Sequence, residues 1–167
     1  LLKETGSIIS GGKILGAITQ FPNYQNTDID IYCPIQNMPS FLTRLVKADD
    51  ALFNFDRFNK RQSSLYCKSF LKKNGIKRVY TFKLKSQRRD TFLIDVMSVR
   101  KRRSPLQVVT NFDLTFCQVW FDGSDVYASH PDHIRSKAGI LQEEYVPSFL
   151  INNKRRYKSY STRHVGN

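Results

Sequence analysis

Acidic residues are scarce in this chain. Its 167 residues hold 14 aspartates and glutamates against 27 lysines and arginines, a net charge of +13. So acid-poor a surface points away from cationic partners and toward a polyanion: nucleic acid, nucleotide or anionic membrane. Cysteine is scarcer still. Cys33, Cys67 and Cys117 make an odd set with no CxxC pair, which excludes a disulfide framework and a cysteine zinc site. Small buried side chains in a reducing compartment are expected instead, cytoplasm or nucleus, with a virion compatible. No apolar run approaches the ~18 residues that span a bilayer, so no membrane partner is expected. The first residues lack the order of a secretory leader. There is no internal repeat and no low-complexity tract.

What is present suffices for one core. The chain is 40% hydrophobic and 13% aromatic, and its length suits one domain. We read residues 1–150 as that domain and 151–167 as a basic tail or linker. A short β-type run, Ser7 to Ser10, ends at Gly11-Gly12 and leads into a short helix, KILGAIT. The turn-rich QFPNYQNT precedes a strand, DIDIY, that stops before Pro34. Phe41, Leu42, Leu45 and Val46 have helical spacing within 39–50. A second helix is expected over 60–73, stopped by Asn74-Gly75. VYTFKLKS and DTFLIDVMSV form a hairpin about Gln87-Arg88-Arg89. A basic loop, RKRRSP, leads to a β-rich stretch from Val108 to Phe121. Asp122-Gly123 is a turn, DVYA a short strand, and 131–137 a small helix. This order predicts an α+β domain with a mainly antiparallel or mixed sheet and helices packed on it.

Two of the few acids stand where acids are disfavoured. Asp28 and Asp30 alternate with Ile29 and Ile31 in a strand pattern, so both carboxylates share one face. Two carboxylates so close repel unless something positive neutralises them. A hard divalent cation, Mg²⁺ or Mn²⁺, does so with oxygen ligands and substrate phosphates. Asp95 is a third acid in an otherwise apolar strand, where burial without a partner is costly. If its strand lies beside DIDIY, three carboxylates converge and two metal ions have a site. The glycine pair permits close backbone approach, and the helix after it points N–H groups at an anion such as a triphosphate. Ser10 and Lys13 are candidate further contacts.

Gly11-Gly12, the spacer, Asp28-x-Asp30 and the later Asp95 together resemble the nucleotidyltransferase superfamily with the DNA polymerase beta type of fold. The head domain of CCA-adding enzymes and bacterial poly(A) polymerases is the nearest flavour. A motif of that family, RRDFTINAMAYD, resembles NFDLTFCQVWFD here, with Asp113, Thr115 and Phe121-Asp122 in register. Asn111 and Phe112 replace its two arginines and Cys117 its asparagine, all at positions that help hold the nucleotide in that family. The scattered motifs run from Ile8 to Tyr127. The overall look is also similar to nucleotidyltransferase-like proteins of large DNA viruses.

The resemblance implies a catalytic and metal-binding set of Asp28, Asp30 and Asp95, with two Mg²⁺ or Mn²⁺ ions. It implies a nucleoside triphosphate substrate held by Ser10, Gly11, Gly12, Lys13 and Asp113. The monophosphate would pass to a nucleic-acid hydroxyl, and pyrophosphate would leave. Asp113 remains an alternative third acid. Three basic groups are candidates for the nucleic acid, RNA ahead of DNA: Arg88 and Arg89; Arg100, Lys101, Arg102 and Arg103; and Lys154, Arg155 and Arg156. Tyr157 and Tyr160 beside the last group are candidate stacking residues. His130 and His133 read as loop residues rather than metal ligands. Two other classes stay open. One is a silent member of the same fold that binds nucleic acid or serves a virion or scaffold. The other is a protein-modifying nucleotidyltransferase. Oligomeric state is not legible in the sequence.

Overall fold

Strand-forming side chains recur through the chain with period two, and the structure pairs them into one sheet. The computed structural model describes residues 1–19, 28–47, 53–59, 68–86 and 91–142. The first half forms α1 (Leu2–Thr5), β1 (Ile8–Ser10), α2 (Gly12–Thr19), β2 (Ile29–Pro34), α3 (Met38–Lys47) and β3 (Phe53–Asn59). Next come α4 (Lys68–Lys73), β4 (Ile76–Ser86), β5 (Thr91–Val99) and α5 (Pro105–Val109). A 3₁₀ turn (Thr115–Cys117), β6 (Val119–Phe121), β7 (Val126–Ala128) and α6 (Pro131–Arg135) complete the described chain. The seven strands lie in the order β3-β4-β5-β2-β1-β6-β7. Among the described residues only β2 and β5 run parallel; the other pairs are antiparallel. The protein is a mixed α/β structure with a mixed sheet.

Alternation gives the central strands two different faces. Ile31, Cys33, Ile94, Val96 and Phe82 cover one face and bury Met38 and Phe41 of α3. Ile8, Tyr32, Ile76, Met97 and Val99 belong to the other and pack against Val108 and Val109 of α5. A third cluster joins Leu15 of α2 to Leu114, Phe116, Cys117 and Val119. Phe41 is fully buried between α3 and the sheet. Phe41→Ala should lower stability by about 3–5 kcal/mol, read as a shifted denaturation midpoint at constant m-value.

Several expectations need correction. The segment ahead of α4 holds a strand, β3, that the sequence reading did not anticipate. The expected helix over 60–73 is described only as Lys68–Lys73, and 60–67 lie outside the described residues. Gly75, at φ 70°, closes that helix as expected. The stretch Val108 to Phe121 is not continuous β-structure. Val108 and Val109 end a helix set by a capping box: Ser104 Oγ accepts from the Gln107 amide, the Gln107 side chain accepts from the Ser104 amide, and Pro105 follows. Thr115–Cys117 then makes a 3₁₀ turn, and β-structure begins only at Val119. The helix over 39–50 is observed as Met38–Lys47, with 48–50 outside the described residues. The turn-rich 20–27, the hairpin tip 87–90 and the tail 151–167 also lie outside them.

Cys33 and Cys117 are buried and in no disulfide; Cys67 is outside the described residues. Among the described residues no helix is long and apolar enough to cross a membrane.

Candidate active site

The site begins with strand register. Asp30 of β2 pairs with Asp95 of β5 on one side and with Ser10 of β1 on the other. Thr81 pairs with Asp95, Trp120 with Ser10, and Tyr127 with Trp120. Directly paired residues share a face, so Thr81, Asp95, Asp30, Ser10, Trp120 and Tyr127 form one row across six strands. Two residues along the strands from the acids, the same face turns apolar at Tyr32 and Met97. The Tyr32 ring lies against Phe112, centroids 5.9 Å apart.

The three carboxyls depart from ordinary behaviour in one direction. Asp95 is buried, and that burial raises its pKa against the pull of a hydrogen bond from Thr81. The Thr81 hydroxyl donates to Asp95 Oδ1 at 2.5 Å and so fixes the orientation of that carboxyl. Asp30 is raised to about 8, first by desolvation, then by the fields of Asp95 and Asp28. Asp28 stands just before β2 and is raised by desolvation and by Asp95. The mutual fields show that the three groups share one neighbourhood. Of the three, Asp28 is the one exposed to solvent.

Gly11 meets this group from the side of α2. Its φ is 91°, and a Cβ built there would lie 2.5 Å from Asp30 Oδ2. Both backbone and space therefore demand glycine. Gly11 also caps α2, since its carbonyl accepts from the Leu15 amide at 3.2 Å. The Asp30 carboxylate thus lies against the N-terminal end of an eight-residue helix, whose first N–H groups and dipole favour anions. Gly12 and Lys13 are the first two helical residues.

Ser10 is placed differently from its expected phosphate role. It is fully buried, and its hydroxyl donates to the Val119 carbonyl at 2.5 Å. In that arrangement its proton is engaged, and a phosphate oxygen, itself an acceptor, gains nothing from it. Ser10 ties β1 to β6. Asp113 is buried in the bend before the 3₁₀ turn, where its carbonyl accepts from the Gln142 amide at 2.7 Å. It stands on no strand of the sheet, whereas Asp95 is the register neighbour of Asp30.

Among the described residues, no three histidine, cysteine, aspartate or glutamate side chains are gathered into a cage sufficient to hold a metal ion. The chemistry of the donor set still suits Mg²⁺ or Mn²⁺. It consists of carboxylates held in one another's field, and Mg²⁺ takes one or two such ligands and completes its shell with water and phosphate oxygens.

His130 and His133 stack at 5.0 Å between ring centroids, and His133 Nδ1 lies 2.7 Å from Thr115 Oγ1. His133 lies within α6 rather than in a loop, and His130 stands at the N-cap of that helix with no side-chain capping hydrogen bond. Arg100, Lys101, Arg102 and Arg103 are exposed. Arg88, Arg89, Lys154, Arg155, Arg156, Tyr157 and Tyr160 fall outside the described residues.

Sequence reasoning missed two contributors. Thr81 was hidden in VYTFKLKS, where a polar residue at a buried-strand position was the available signal. Trp120 was assigned to the core, and it does pack there in part. Its ring also stacks on Tyr127, centroids 5.7 Å apart and planes 16° apart. The place of both in the row of Asp30 follows from register alone.

No protein-family model matches the chain, and neither a curated protein nor a solved structure matches it.

Proposed function

We propose that the chain is a metal-dependent nucleotidyltransferase built on a nucleotidyltransferase-type sheet. In this reading it moves a nucleoside monophosphate from a nucleoside triphosphate to a nucleic-acid hydroxyl. One observation carries the proposal: Asp30 and Asp95, from strands distant in sequence, are register neighbours with Asp28 in their field and Gly11 pressed against Asp30. Acids of that cost, packed together, are relieved by a counter-charge such as a ligand supplies. Likeness of the glycine pair and the Asp-x-Asp strand to the superfamily gives the reaction class.

Asp28, Asp30 and Asp95 would hold Mg²⁺ or Mn²⁺, which would supply charge neutralisation at the phosphates and at the attacking oxygen. The chain's own groups have the following tasks. The backbone at Gly11–Lys13 receives the triphosphate at the helix end. Asp95, oriented by Thr81, takes the proton of the acceptor hydroxyl. The hydroxyl oxygen bonds to the α-phosphorus, the bond from that phosphorus to the β-bridging oxygen breaks, and pyrophosphate carries away the electron pair. Most of the rate enhancement comes from positioning and charge.

The test is transfer from labelled ATP, CTP, GTP and UTP, with Mg²⁺ or Mn²⁺ and a mixed RNA and DNA primer pool. Metal-dependent label on a primer, absent from Asp28→Ala/Asp30→Ala, is expected. Label on the protein itself without primer extension would instead support a protein-modifying enzyme. A silent nucleic-acid-binding member of the fold is the second reading. It is favoured by the engaged Ser10 hydroxyl. It predicts no label and unchanged nucleic-acid binding in the double variant.

A further inference from the structure

Folding joins two basic runs that are separate in the sequence. The first is Lys72 and Lys73 at the end of α4 with Lys77 and Arg78 at the start of β4. The second is Arg100 to Arg103, directly after β5. Ile76 pairs with Val99, the Arg100 amide donates to the Gly75 carbonyl at 2.8 Å, and Arg100 Nε reaches the Ile76 carbonyl at 3.5 Å. The Arg103 side chain lies over Gly75, where a Cβ would stand 2.6 Å from Arg103 Cδ. A register shift between Ile76 and Arg78 takes Lys77 out of the ladder, so two consecutive cations meet solvent at the strand's start. All of these lysines and arginines are exposed. Among the described residues, no carboxylate pairs with Lys77, Arg78 or any of Arg100 to Arg103.

Such crowding of like charge, held by backbone hydrogen bonds rather than by acids, is unfavourable in the free protein and is relieved by a polyanion. A membrane surface is the weaker match. Among the described residues Leu106 is the one exposed large apolar side chain next to the run, whereas a membrane-surface element presents a whole apolar face.

The position of the patch gives the partner's geometry. Asp95 lies four residues from Val99 and five from Arg100 along one strand, roughly 13–17 Å at ~3.3 Å per residue. A stacked nucleic-acid strand advances ~3.4 Å per nucleotide. We infer that the joined patch around Gly75 and Arg100–Arg103 binds the phosphate backbone of a single nucleic-acid strand, about four to five nucleotides from an end held at the carboxylates. Binding to the patch stands by itself; the assignment of that end as the acceptor rests on the nucleotidyltransferase reading.

The experiment compares wild type with Lys77→Gln/Arg78→Gln, Lys101→Gln/Arg102→Gln and the fourfold combination. These side chains are exposed, and circular dichroism and thermal unfolding check that each variant is folded. Anisotropy of a labelled 12-nucleotide RNA, without triphosphate or metal, gives affinity against salt. Each pair should lower the slope of log K on log salt by about 1.4, and the four together by about 2.8. At ~0.1 M salt the combined loss should be on the order of a hundredfold or more. Loss from only one pair would overturn a joined patch. Unchanged RNA binding, or binding of phosphatidylserine vesicles in place of RNA, would overturn the inference altogether. Transfer to primers of 2 to 12 nucleotides provides the second arm. A fall in KM once primers reach about four to five nucleotides, lost in the fourfold variant, is expected; a length-independent KM would overturn the placement. If no primer is labelled at all, the enzyme reading fails, while the salt slopes still decide the patch.

Discussion

Asparagine in place of Asp30 is expected to lower nucleotide transfer by about a thousandfold or more, while making the metal-free protein more stable at pH 8. The two effects share one cause. Asp30 is raised from 3.8 to about 8 by desolvation and by two neighbouring carboxylates. A carboxyl raised on folding binds its proton more tightly in the folded state than in the unfolded one. Its favourable contribution is complete below pH ~4 and is lost as pH climbs toward ~8. Asp28 and Asp95 are shifted the same way and add to the trend. Wild type should therefore lose stability between pH 5 and pH 8 without metal, and Asp30→Asn should lose less. At pH 8 the variant should exceed wild type by roughly 1–3 kcal/mol, an order-of-magnitude figure because the three groups titrate together. Mn²⁺ should restore wild type, with affinity rising as pH rises because binding releases protons. Asparagine supplies an oxygen ligand without the charge, and losing about 4 kcal/mol of charge stabilisation is ~10³ in rate. Urea denaturation at pH 5.5 and 8, with and without Mn²⁺, reads the first effect and primer labelling the second. A variant that is less stable than wild type at pH 8 would contradict the account.

The second large effect belongs to Gly11. Gly11→Ala should weaken the fold by about 1–3 kcal/mol, because a φ of 91° is strained for alanine. It should also lower transfer by roughly a hundredfold or more, since the new methyl would stand 2.5 Å from Asp30 Oδ2 and must displace it. Gly12 offers the contrast. It lies in the first turn of α2 and outside the positive-φ set, so Gly12→Ala should keep full stability. Chemical denaturation of both variants makes the comparison, and an equal loss in the two would show that the close approach at Gly11 does not matter.

Local patterns were the legible part of this fold. Alternation marked β2 and β5, Asn74-Gly75 marked the end of α4, and the three acids stood out because they interrupt apolar strands. The pairing of Asp30 with Asp95 was readable only as a condition, since period-two alternation assigns faces but leaves neighbouring strands unspecified. NFDLTFCQVWF misled for a related reason. Its β-forming side chains satisfy a propensity, yet Phe112, Phe116 and Cys117 enter the core from a bend and a 3₁₀ turn, where packing overrides preference. The capping box at Ser104 and Gln107 was in plain view and went unused. Ser10 shows the limit of motif transfer, because a hydroxyl beside a glycine pair reads as a phosphate contact until it is seen donating to the Val119 carbonyl.

The parallel pairing of β2 with β5 also bears on how the site comes into being. The pairs β1–β2, β3–β4, β4–β5 and β6–β7 are antiparallel and join strands consecutive along the sheet-forming chain, whereas β1–β6 and β2–β5 are long-range closures. The one pairing that unites Asp30 with Asp95 closes a loop of some 65 residues, the entropic toll of which falls on a contact between mutually repelling groups. A fragment that ends before β5 holds Asp28, Asp30 and Gly11 but lacks Asp95, so it cannot form the acid pair. The acid pair is a property of the finished topology, so occupancy by a cation would reward the seating of β5 and couple ligand to fold across the whole sheet.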